Sequence, residues 1–94
     1  MAYIQSFMII FIMNLAIVIN LKNKKLIISF GMHVRKLREE KKYSMRHLAD
    51  LADVNYTQIS KIETGKINTT ISTAYALAKA LDINIDELFK FKMK

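Results

Sequence analysis

Between residues 55 and 64 the chain sets Asn55, Tyr56, Thr57, Ser60, Lys61 and Thr64 around two apolar residues, Ile59 and Ile62. A helix here buries the isoleucines and turns Thr57, Ser60, Lys61 and Thr64 outward. The outward set is short hydroxyls and one ammonium. Such a set suits a surface that both donates and accepts hydrogen bonds, as base edges in a major groove do. It does not suit bond breaking, because no paired base or oxyanion arrangement accompanies the many Ser and Thr residues. The two histidines, His33 and His47, have no cysteine and no H-E-x-x-H spacing around them, so neither a metal nor a cofactor is expected. The chain does not read as an enzyme.

The elements that must hold this face follow from hydrophobic period. Leu48, Ala49 and Ala52 recur at i, i+1 and i+4 and predict a half-buried helix. Asp53-Val54-Asn55 then leaves room only for a tight turn before the pattern restarts at Ile59. Two short helices crossing through such a turn make a helix-turn-helix. Ser44 and Asn55 are plausible N-caps for the pair, and Gly65 can supply a left-handed stop. Upstream, Phe30, Val34 and Leu37 line one face of a first helix that ends in cations at Lys41-Lys42. Downstream, Lys66 to Thr70 reads as a polar loop, and residues 71–82 as a helix burying Ile71, Ala74, Leu77, Ala78 and Leu81. Asn84 and Glu87 have capping-box spacing ahead of a last short helix with Ile85, Leu88 and Phe89. Phe89 and Phe91 read equally as closers of the core or as part of a dimer seam. The fold class expected is all-α, a compact domain of five helices.

Composition narrows the partner. Ninety-four residues allow one modest core. No cysteine is present, which removes disulfides and thiolate chemistry. A net charge of +7 points to a polyanion, either nucleic acid or an anionic membrane surface. Residues 1–29 hold three lysines and no acid, whereas residues 30–94 mix 12 cations with 8 anions.

The chain divides into residues 1–25, a hydrophobic N-terminal extension with a basic linker, and residues 26–94, the helical domain. Phe7 to Ile19 is nearly unbroken hydrocarbon, and residues 1–21 reach spanning length only if Tyr3, Ile4 and Leu21 are counted. Lys22, Lys24 and Lys25 would keep the domain cytoplasmic if the run spanned a bilayer. A secretory signal fits poorly, with no cation before the run and no small-x-small site after it. Three readings stay open for residues 1–21: a non-native extension translated from an AT-rich leader, a membrane anchor, or a helix docked on the domain or its dimer partner.

Residues 30–89 resemble the lambda-repressor-like domain of the Xre and Cro/C1 family of bacterial and phage regulators. The carriers are Phe30-Gly31, Arg35-Lys36-Leu37-Arg38, Ser44, Leu48-Ala49, Ile59-Ser60-Lys61-Ile62-Glu63 with Gly65, Asn68, Ala78-Lys79-Ala80-Leu81 and Asp86-Glu87-Leu88-Phe89. The resemblance implies a recognition helix over residues 55–63 and a homodimer on double-stranded DNA. It implies base contacts from Asn55, Tyr56, Thr57 and Lys61. It places phosphate contacts at Ser44, Arg46, Lys66, Asn68, Thr69 and Thr70, and an internal ion pair between Arg38 and Glu63. The chain departs from the family pattern at three places: Met45 replaces a phosphate-contacting Gln, Asp53 a turn Gly, and Thr69 a loop Pro.

The function expected is a cytoplasmic, nucleoid-associated transcriptional regulator that represses by occupying promoters. An antitoxin or a restriction-modification controller of the same fold is the nearest alternative. About five residues follow the last expected helix, little for a tail that wraps a toxin. A membrane-tethered interaction module, in which residues 1–21 do the main work, is the alternative from another class.

Overall fold

The computed structural model describes residues 23–93. Among them every regular element is a helix: α1 over 23–40, α2 over Met45–Ala52, α3 over Tyr56–Glu63, α4 over Ile71–Ala80 and α5 over Ile85–Leu88. The apolar run of residues 1–21 lies outside the described residues. Within them no helix is long and apolar enough to cross a membrane. Residues 23–25, expected as linker, are helical and run on into α1.

Short helices need firm ends, since their orphan backbone groups are a large share of the total. At the N-termini of α2, α3 and α4 the side chains of Ser44, Asn55 and Thr70 accept from the backbone N–H of His47, Gln58 and Thr73. Asn84 occupies the same place before α5 but makes no side-chain cap bond, so the expected capping box is not formed. At the C-termini one device recurs. Lys42, Asp53, Gly65 and Asp82 all have positive φ. The residue after each returns a hydrogen bond across the last turn: Tyr43 to Arg38, Val54 to Ala49, Lys66 to Lys61 and Ile83 to Ala78, at 2.9–3.1 Å. Three of these four stops use residues with a Cβ, which tolerate the left-handed region less well than glycine does.

α2 packs on α3 and on α4, and α4 packs on α5. Val34, Leu48, Ile59, Ile62, Leu77, Leu81 and Leu88 are the fully buried centre. Burial of each aliphatic side chain is worth about 1.5–3 kcal/mol, so Ile59 and Ile62 fix which side of α3 faces inward. Gly31 lets α1 pass the end of α3 closely, because a Cβ there would run into the Ile62 carbonyl.

The buried stripe expected on α4 holds for Ala74, Leu77, Ala78 and Leu81 but not for Ile71, which is 90% exposed. Ile71 opens the helix at the edge of that stripe. On α5 only Leu88 is buried, while Ile85 and Phe89 are largely exposed. Phe89 stacks on Phe30 with ring centroids 5.5 Å apart, and Phe91 meets Phe30 edge-on at 6.2 Å.

A candidate nucleic-acid interface on α2 and α3

The polar residues of α3 are displayed as their spacing predicts, with Ser60 the exception. Asn55, Tyr56, Thr57 and Lys61 are exposed, whereas Ser60 is half-buried. Thr64 caps the helix, donating its hydroxyl to the Ser60 carbonyl at 2.7 Å. Asn55 serves as N-cap, its Oδ1 accepting from Gln58 N at 2.7 Å. An amide held this way is pinned in orientation at the helix tip.

Ser44, Arg46, Lys66, Asn68 and Thr70 are exposed around this helix. Ser44 Oγ and Thr70 Oγ1 are both engaged in capping. Thr69 differs from them. Its hydroxyl is buried without a hydrogen-bond partner among the described residues, so only its backbone is placed to meet a ligand. Met45, where the resemblance would have Gln, packs half-buried against the core.

Arg38 and Glu63 lock α1 to the end of α3. Arg38 Nε lies 2.7 Å from Glu63 Oε2 and Nη2 2.9 Å from Oε1, while Nη1 donates to the Tyr43 carbonyl at 2.8 Å. The side chains are 12% and 3% exposed, so this is a two-pronged, hydrogen-bonded pair in a low-dielectric setting. The Glu63 hydrogen bond raises the Arg38 pKa above its ordinary value, against the opposing effect of burial. The charges of Glu63, Glu39 and Tyr56 act in the same upward direction.

Three further contacts shape the surface and have no signature in the sequence. Gln58 Nε2 reaches Thr73 Oγ1 at 3.4 Å and so ties α3 to the start of α4. Tyr43 and His47 meet edge to face with centroids 4.7 Å apart. Arg46 lies over the ring of Tyr56, its Cζ 5.3 Å from the centroid. The first and third join residues from different helices, where helical period carries no information, and the second bridges the turn that precedes α2. No group of three or more His, Cys, Asp or Glu among the described residues is arranged to hold a metal.

A profile of the helix-turn-helix family, HTH_3, matches residues 34–88, which contain both crossed helices and the Arg38–Glu63 lock. The chain belongs to the helix-turn-helix family of DNA-binding transcriptional regulators. Among solved structures it is similar to the restriction-modification controller protein C.AhdI from Aeromonas hydrophila. That match has 35% identity and a TM-score of 0.66, over 67% of this chain and 96% of that one. It is also similar to the wild-type restriction-modification controller protein C.Esp1396I, at 28% identity and a TM-score of 0.65 over 69% and 84% of the two chains. The clp gene regulator ClgR from C. glutamicum, at 22% identity and a TM-score of 0.64 over 67% and 82%, shares the fold. No curated protein matches the chain.

Proposed function

We propose that this helix-turn-helix regulator occupies promoter DNA as a homodimer, with α3 of each copy in the major groove. The observation that carries the reading is the side of α3 opposite Ile59 and Ile62: Thr57 and Lys61 are exposed there, with Asn55 and Tyr56 at the tip. Thr57 offers a hydroxyl and a methyl to base edges, and Lys61 an ammonium for guanine O6 or N7. Ser44, Lys66, Asn68 and Thr70, with the backbone of Thr69, grip phosphate on either side. The unit that does this spans residues 26–94 and works in the cytoplasm.

A second copy of the chain is the natural cover for the apolar residues left outside. Ile71 and Tyr75 lie one turn apart on α4 and are 90% and 62% exposed. Tyr75 shares a shallow depression with Ile85, and Ile71 shares another with Phe89. Together these exposed residues would suit a self-complementary two-fold contact. Exposed apolar clusters of this kind mark association surfaces.

The likeness to C.AhdI, at 35% identity across nearly all of that chain, favours a second, narrower reading: a restriction-modification controller. Under that reading the operator lies in a restriction-modification operon. Selecting duplexes from a randomised library with the full chain tests the general function. Recovery of a two-fold symmetric sequence is expected, and failure to enrich any sequence would remove the promoter-binding reading. The genomic position of the recovered sequence then decides whether the controller reading stands.

A further inference from the structure

Arg46 is the second residue of α2 and Tyr56 the first of α3. The guanidinium carbon lies 5.3 Å from the ring centroid, inside the distance at which a cation is drawn to an aromatic face. No carboxylate competes for it: the ion pairs among the described residues are Arg35–Glu39, Arg38–Glu63 and Lys90–Asp86. Tyr56 is thus in contact with the start of α2 while part of its ring stays open to solvent. Arg46, Asn55 and Thr57 are exposed with it, so the guanidinium resting on the ring is open to a ligand.

We propose that Tyr56 is a platform that fixes the Arg46 guanidinium at the tip of α3, and that Arg46 is a specificity-determining residue directed at a guanine edge rather than a general phosphate contact. The proposal rests on α3 entering the major groove. A planar fork of donors held against an aromatic ring loses orientational freedom, which favours bidentate donation to guanine O6 and N7. A lysine retains the charge but neither the plane nor the fork. The assignment reverses the roles that residue type alone suggests, with the aromatic side chain supporting and the chain's α2 cation reading.

The test uses the full chain and the duplex it selects from a randomised library, together with duplexes substituted at each base pair of one half-site. Arg46→Lys and Tyr56→Leu are each expected to lose about tenfold or more in discrimination at the same base pair. The double variant should lose no more than either alone. Tyr56→Phe, which keeps the ring, should recover most of what Tyr56→Leu loses. In the DNA-free protein the Arg46 side-chain protons should be shifted upfield by the ring current, a shift absent in Tyr56→Leu and present in Tyr56→Phe.

Three results would overturn the proposal while leaving the groove reading intact. They are a Tyr56→Phe variant that behaves like Tyr56→Leu, which would make the phenol oxygen the reader; losses that fall at different base pairs or multiply in the double variant; and a wild-type Arg46 spectrum without the upfield shift. If no duplex is enriched, the groove reading falls and this proposal falls with it.

Discussion

At the scale of single residues, the Arg38–Glu63 pair is where stability is most concentrated. Both charges are largely removed from water and all of the short contacts are directional. Arg38→Ala strands a buried carboxylate and is expected to lower stability by about 3–5 kcal/mol in denaturant melts. Replacing the two together by Met and Leu should cost much less, because no charge is then left unpaired. Similar small losses in all three variants would mean that the pair is not buried in solution. Thr69 makes a contrasting case. Its hydroxyl is enclosed without a partner, so Thr69→Val should be neutral or mildly stabilising. The residue types on α3 were readable from the sequence because Ile59 and Ile62 fix the helical phase, and phase decides which side chains look outward. The stacking of Arg46 on Tyr56 and the reach of Gln58 to Thr73 were not readable, since each depends on how two elements cross.

At the scale of elements, the chain ends its helices with little help from glycine. Lys42 stops α1 at φ 61° and Asp53 stops α2 at φ 55°. A side chain in that region costs roughly 1–2 kcal/mol, partly offset because glycine gains more freedom on unfolding. Lys42→Gly is therefore expected to stabilise by up to about 1 kcal/mol. Glu40→Gly, inside the last turn of the same helix, should destabilise by about 1 kcal/mol. A loss of stability in Lys42→Gly would contradict the left-handed stop. Gly31 runs the other way: Gly31→Ala puts a methyl group against the Ile62 carbonyl and should cost about 1–3 kcal/mol or more. The order of the five helices was legible because each carries its own apolar period, and α2, α3 and α4 a cap residue as well. The outward placement of Ile71, Ile85 and Phe89 was not. A hydrophobic residue at a helix end satisfies the period equally well whether the neighbour it needs is in the same chain or in another copy.

At the scale of the whole molecule, the proposed function uses two surfaces: the polar side of α3 with the phosphate contacts proposed beside it, and the exposed apolar residues of α4 and the segment after it. If the second holds two copies together, Tyr75→Glu should shift the protein from dimer to monomer in sedimentation while leaving helicity intact. Such a variant should bind a two-fold symmetric duplex far more weakly than wild type. A fully dimeric Tyr75→Glu would move the interface elsewhere. If phosphate contacts supply most of the affinity, log K should fall with log salt by about 0.9 for each phosphate engaged. A flat salt response would point to a protein partner in place of DNA.

The central claim is that α3 enters the groove, and Lys61 tests it most directly. The residue is exposed on the side of α3 away from Ile59 and Ile62, so its removal should not disturb the core. Lys61→Ala is compared with Lys36→Ala, which removes an equal charge from the outer side of α1. The measurement is the affinity of each full-length variant for the selected duplex, alongside its melting temperature. The account predicts unchanged melting in both and a loss of about 1–3 kcal/mol per half-site in Lys61→Ala alone. Indistinguishable binding by the two variants, with folding intact in both, would contradict it.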